Sequence, residues 1–228
     1  MTKEEWMAFT KARASMYRFL GGIYLLEVDE KQLNALKKVQ FPEVDDMEDS
    51  DMDLREGYQI LSECVKDLKA EDLDDLAADY AKVFLAAGDA AGHAAFPYES
   101  VYVDKKHQVG GSTAMKMKAL YLERGFEPNP SMYRTMDDNI GLILQYMAIL
   151  CDEVTEAAAA DDPAKGKELL TEQRKFVNKH LTNWVFSFTS DIMKFSDTDF
   201  YRSIAKITNG FIKKEAEYLK GGALWDTV

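Results

Sequence analysis

Cysteine, histidine and proline are scarce in this chain. Its two cysteines, Cys64 and Cys151, form no CxxC pair, which excludes a disulfide scaffold and leaves both as ordinary thiols in helical surroundings. The three histidines, His93, His107 and His180, have no second His, Cys or carboxylate at the spacing of an HExxH or ExxH site. No metal centre is therefore expected. His180 falls on an apolar helical stripe and reads as a packed residue. Five prolines and 13 glycines in 228 residues leave long stretches free to be helical. No alternating run of β-branched residues argues for a sheet, and no internal repeat of roughly 20–50 residues occurs. Apolar runs stay short of the ~18 residues that crossing a bilayer requires. The opening Met1-Thr2-Lys3-Glu4-Glu5-Trp6 has no apolar stretch of the signal-peptide kind, so a cytoplasmic location is expected. Positive charge is also short, with 28 Lys and Arg against 40 Asp and Glu and a net charge of −12. Such a surface repels phosphate backbones, which makes nucleic acid a poor partner, and attracts cationic peptides. The motifs GxSxG, GxxxxGK[ST] and GxGxxG are all missing, so neither an enzyme nor a bound cofactor is expected. Gly110-Gly111-Ser112 stands before a helical pattern and reads as a turn and cap rather than as an anion site.

What is present is helical periodicity. Trp6, Phe9, Met16, Tyr17, Leu20 and Tyr24 recur at three- and four-residue steps and predict a helix over about 3–26. Further helices are predicted over about 30–39, 52–68, 73–87 and 112–124. In the fourth, Leu76, Tyr80, Val83 and Phe84 form the apolar face, and Gly88 suits its C-terminus. Thr135 with Asp138 reads as a capping box for a helix over about 136–159. Another pattern starts near Pro163 and runs or bends through Phe195, with Phe176, His180, Trp184, Phe188 and Ile192 on one stripe. A last helix covers about 199–219. Between these lie an acidic segment, Glu43–Asp51, read as a solvated loop, and a long irregular stretch over 89–111 rich in aromatics. A loop of that length in a folded protein is usually functional. The expectation is an all-α protein of nine to ten helices, one domain over 1–228.

Two stretches flank that loop in a telling order: Asp79-Tyr80-Ala81-Lys82-Val83-Phe84-Leu85 and Pro97-Tyr98-Glu99-Ser100-Val101-Tyr102. Together they resemble the TorD/DmsD family, the dedicated chaperones of molybdoenzymes. Two later stretches, Met136-Asp137-Asp138-Asn139-Ile140-Gly141 and Phe176-x-x-x-His180-Leu181-x-x-Trp184, are similar to family motifs in the same order, and Tyr17-Arg18-Phe19-Leu20 is a looser match. The resemblance covers roughly residues 70–190. Where the family has an Asp-His pair this chain has Asp138-Asn139, so a titrating histidine is missing there.

The resemblance implies a chaperone that binds the twin-arginine signal peptide and the apo form of a molybdopterin-dependent oxidoreductase, aids cofactor insertion and delays export. The alternative it leaves open is an assembly chaperone for a leaderless nitrate reductase-type subunit; a nucleotide-binding protein or enzyme is the third. A leader with paired arginines beside an apolar run needs carboxylates and an apolar groove. Glu99, Asp137 and Asp138 are the candidate carboxylates. Tyr80, Val83, Phe84, Pro97, Tyr98 and Tyr102 are the candidate lining, with Ser100 and Asn139 beside them. Micromolar binding takes about 8 kcal/mol, and exposed Arg–carboxylate pairs supply about 0–1 kcal/mol each, so the apolar contacts must carry most of the affinity. Helical spacing at Tyr80, Val83 and Phe84 fits core packing equally well. First-turn capping equally suits Asp137 and Asp138. On an exposed first turn, Asp138→Lys is expected to weaken leader binding with little loss of fold. Homodimers occur among relatives of this kind, and long connections would allow one here.

Overall fold

The computed structural model describes residues 2–42, 51–88, 92–129 and 134–221. Most of the acidic segment, residues 43–50, lies outside them, as do residues 89–91 at the start of the long loop. Ten α-helices and one short 3-10 turn make up the regular structure of the described residues, with a single isolated β-bridge and no strand. In order these are α1 (Lys3–Leu25), α2 (Glu30–Leu36), α3 (Met52–Asp67), the 3-10 turn (Ala70–Asp72), α4 (Leu73–Leu85), α5 (Glu99–Val103), α6 (Ser112–Glu123), α7 (Ile140–Ala159), α8 (Pro163–His180), α9 (Val185–Phe195) and α10 (Asp199–Lys220). The all-α expectation holds. No helix of the described residues is long and apolar enough to cross a membrane.

Local chemistry sets several boundaries. Asp29 and Gln32 form a reciprocal capping box at the start of α2. Asp162 caps α8, with Pro163 in its first turn. Three boundaries differ from the periodicity reading. The Thr135–Asp138 box does not form; α7 begins at Ile140, where Asn139 Oδ1 accepts from the Gly141 amide at 2.8 Å. The stripe from Phe176 to Ile192 is broken rather than continuous. At the end of α8 the Trp184 indole donates to the His180 carbonyl at 2.7 Å, satisfying one of the orphan carbonyls there. Helix α4 closes on Ala86 in the left-handed region at φ 54°, two residues before Gly88.

The chain packs as two compact units. The first comprises Met1–Leu25, Tyr98–Trp184 and Lys213–Val228, and the second Leu26–Pro97 and Val185–Ile212. In the first, α7 is buried along most of its length and packs against α1 and α8. The α1–α7 crossing is close because it is made of glycine. A Cβ on Gly141 would stand 2.4 Å from Leu25 Cγ and 2.8 Å from the Gly21 carbonyl oxygen. We expect Gly141→Ala to destabilise the fold by about 2–3 kcal/mol through this overlap, even though alanine favours helix by about 1 kcal/mol. Denaturant melts of the variant would read it; an unchanged midpoint would contradict the crossing. Cys151 is buried on α7, and burial pushes its thiol up to about 12, well away from reactivity.

In the second unit, α3 meets the first part of α10 through another glycine pair. A Cβ on Gly57 would lie 2.7 Å from Ile207 Cγ1, and one on Gly210 would lie 2.5 Å from Leu54 Cγ. Beside it, an aromatic core joins α4, α9 and α10: the Phe84 ring lies 5.1 Å from Tyr80, 5.5 Å from Tyr201 and 6.2 Å from Phe188. Asp79, buried on α4, organises the start of α10. Its carboxylate accepts from Ser196 Oγ at 2.7 Å, the Asp197 amide at 3.0 Å, and the Thr198 amide and Oγ1 at 2.9 and 2.6 Å. Removing it orphans several donors at once, so Asp79→Ala is expected to cost about 3 kcal/mol. Asp79→Asn should cost less, and thermal melts of the pair would separate them.

Candidate peptide-binding site

The stretch expected to be an irregular loop is organised around the short helix α5. Tyr98 precedes it and pairs with Asn139 as an antiparallel bridge. The Glu99 amide donates to the Asp138 carbonyl at 3.1 Å, and the Ser100 amide donates to Asp138 Oδ2 at 2.8 Å. Asp138 thus ties the start of α5 to the turn before α7, which is why it does not cap α7 itself. Around this junction Asn139 Nδ2 donates to Thr135 Oγ1 at 3.1 Å, and Thr135 Oγ1 donates to the Tyr98 hydroxyl at 3.2 Å. On the next turn Tyr102 stacks on Trp184, with ring centroids 5.4 Å apart and 28° between planes. Glu99, Ser100 and Tyr102 are therefore helical, contrary to the expectation of irregular chain there.

Burial divides the sequence-predicted residues. Glu99, Ser100, Asp138 and Asn139 are buried, with Asp138 0% exposed. Tyr98, Tyr102 and Asp137 are half-buried. Asp138 is accordingly not on an exposed first turn, and the expectation that Asp138→Lys spares the fold is corrected. Tyr80, Val83, Phe84 and Pro97 are buried in the second unit, the first three in its core. The reading of their spacing as core packing is the one the structure realises.

Glu99 has a partner that sequence inspection did not assign: His180 Nδ1 lies 3.0 Å from its Oε2. The signal available was the recurrence of His180 in the last matched motif, beside the apolar stripe that made it look merely packed. Burial raises the Glu99 carboxyl above its ordinary value, while the bond to His180 and its charge oppose that shift. A carboxyl whose folded value is raised contributes stability that is fully present below its unfolded value and is lost as pH rises through the folded value. Glu99→Gln is therefore expected to gain stability relative to the unmodified protein between pH 4 and pH 7. Denaturant melts at both values test this, and a gap independent of pH would contradict it.

Beside α5, Asp104 closes the N-terminus of α6. It accepts from Thr113 Oγ1 at 2.6 Å and from the Thr113 amide at 3.1 Å. The glycines before Ser112 thus serve a cap that is already filled by a carboxylate. Among the described residues, no group of three or more His, Cys, Asp or Glu is placed to hold a metal ion.

The family model described as nitrate reductase delta subunit matches residues 48–190. The chain is also similar, almost end to end, to proteins named chaperone protein TorD. It is 25% identical to that of Shewanella pealeana, covering 92% of this chain and 90% of the relative. With that of Vibrio vulnificus the identity is 24%, over 96% of this chain and 99% of the relative. With that of Shewanella loihica it is 27%, over 92% and 93%.

Proposed function

The chain belongs to the TorD-like chaperone family, and from that premise we propose that it is a maturation chaperone that binds the apo catalytic subunit of a molybdopterin-dependent oxidoreductase and its twin-arginine signal peptide. The observation that carries this reading is the end-to-end similarity to chaperones, in a chain whose sequence holds no legible catalytic motif. Such a chaperone works in the cytoplasm, before its client is exported. Within the first unit, Tyr98, Tyr102 and Asp137 are the accessible members of the predicted set. They would meet the leader: the rings receive the apolar run, and Asp137 draws a guanidinium. Glu99, Ser100, Asp138 and Asn139 hold that surface in shape. Of the four residues in the second unit, Tyr80, Val83 and Phe84 act through its core.

The description of the matching family model favours one second reading, an assembly chaperone for a nitrate reductase-type subunit without such a leader. Purifying the native protein from its own cells and identifying what accompanies it separates the two. A molybdoenzyme subunit bearing an Arg-Arg leader, whose synthetic leader peptide binds the purified chain, supports the first. A molybdoenzyme subunit without that leader supports the second. The absence of any molybdoenzyme defeats both.

A further inference from the structure

In the first unit, the loop between α5 and α6 borders a groove of about 690 Å³ whose chemistry runs against that of the chain around it. Val103, Val109 and Met115 give it apolar walls, and Lys105 and Lys106 give it a positive rim, in a protein of net charge −12. All five are exposed, Met115 at 73%. Asp104 also lines it, but that carboxylate is already engaged as the cap of α6. Neither lysine pairs with a carboxylate among the described residues. Helical spacing continues the same character along α6, where exposed Leu122 lies two turns beyond Met115 and exposed Lys118 falls between them. On the other side Met136, also exposed, sits against Gly110.

The loop holds this shape by itself. The Asp104 carboxylate leaves no room for a side chain at Gly111. His107 takes the left-handed region at φ 48°, its Nδ1 2.8 Å from the Val101 carbonyl oxygen, and Gly110 follows at φ 76°. A non-glycine residue held in that region is strained, and strain of this kind gathers at binding sites. A groove shaped before its ligand arrives loses less freedom on binding.

We propose that this groove docks an acidic, apolar segment of a partner protein, a short stretch in which leucine-like side chains stand among glutamates or aspartates. The apolar side chains enter between Val103, Val109 and Met115, and the carboxylates meet Lys105, Lys106 and Lys118. The thioethers of Met115 and Met136 adapt to apolar side chains of different shape. The positive rim turns away an Arg-Arg leader, so this groove and the Asp137 surface sort a partner's segments by charge. A long polyanion is kept off by the negative charge of the whole chain, and a concave groove suits side chains rather than a flat bilayer. Resting on the function proposed above, the segment belongs to the body of the client subunit and not to its leader.

The test titrates the isotope-labelled full chain, followed by NMR, with the peptide Glu-Leu-Glu-Glu-Leu-Glu and separately with Arg-Arg-Ala-Leu-Ala-Leu-Ala. The expected result for the acidic peptide is saturable shifts at the amides of residues 103–115, weakened several-fold when salt is raised to about 0.5 M. Glu-Ser-Glu-Glu-Ser-Glu keeps the charge and lacks the apolar side chains, so it should bind about tenfold or more weakly. K105E/K106E and Met115→Asp change only exposed positions. Each should keep its thermal melt and lose about tenfold or more in affinity for the acidic peptide, and neither should weaken the arginine peptide. No saturable shift at residues 103–115, or undiminished binding by both variants, overturns the proposal while leaving the leader reading in place. Acidic-peptide binding as described, with no binding of the arginine peptide, supports this groove and counts against the leader reading. Equal binding of the serine peptide makes the groove a bare charge patch and overturns the proposal. Lysine-dependent binding to phosphatidylglycerol vesicles makes it a membrane contact and overturns it as well.

Discussion

Arg13→Met is expected to lower the folding stability by about 3–5 kcal/mol, the cost of leaving a buried carboxylate without its counter-ion. Arg13 on α1 and Glu215 on α10 are each about 3% exposed. They meet through two parallel bonds, Nε to Oε1 and Nη2 to Oε2, both 2.7 Å. The same Nη2 donates to Gln173 Oε1 at 2.8 Å, and the Tyr17 hydroxyl donates to Glu215 Oε2 at 2.8 Å. Burial works against the guanidinium charge, but Glu215, with smaller contributions from Cys151 and Tyr17, more than offsets it, so Arg13 stays protonated at any pH the fold survives. The informative comparison is the double substitution. Arg13→Met with Glu215→Met removes both charges, and most of the loss should return, because replacing a buried ion pair by apolar side chains is often neutral. Denaturant melts of the unmodified protein, Arg13→Met, Glu215→Met and the double variant give the coupling directly. A single variant within about 1 kcal/mol of the unmodified protein would mean that the pair is not buried as described.

The neighbouring aspartates should part company. Asp138→Lys is expected to destabilise by about 4 kcal/mol or more, because it puts an ammonium at a fully buried position and orphans the Ser100 amide. Asp137→Lys, one residue earlier and half-buried, should leave the melt within about 1 kcal/mol and weaken leader-peptide binding several-fold by repelling the paired arginines. Melts and peptide titrations on both variants form one experiment. If Asp138→Lys melts normally, the α5–α7 junction is wrongly described. If Asp137→Lys binds the leader undiminished, Asp137 does not belong to the peptide surface.

How far the sequence reaches is visible in particular residues. Apolar periodicity placed α1 to α4, α6, α7 and α10 to within a few residues, because the 3.6-residue repeat is a local property that any buried face must obey, but it left α5 in irregular chain and read α8 and α9 as one pattern. It failed where a side chain has two eligible uses. Asp138 satisfies the spacing of a helix cap, yet it serves the amide of Ser100, 38 residues away, and Asn139 takes the cap. The stripe through His180 and Trp184 satisfies a continuous helix, yet the indole bond to the His180 carbonyl ends it.

The motifs that carry the family resemblance were legible as strings; their physical meaning was not. Asp79 turned out to be the cap of a distant helix start, Gly141 the contact point of two helices, and Glu99 and His180 partners 81 residues apart. The sequence by itself determined the helical class, the acidic surface and the family, since each is written in composition, in local period or in ordered motifs. Only the tertiary structure decided which of the predicted side chains are spent on the fold and which still face outward, because burial depends on residues brought together from far along the chain.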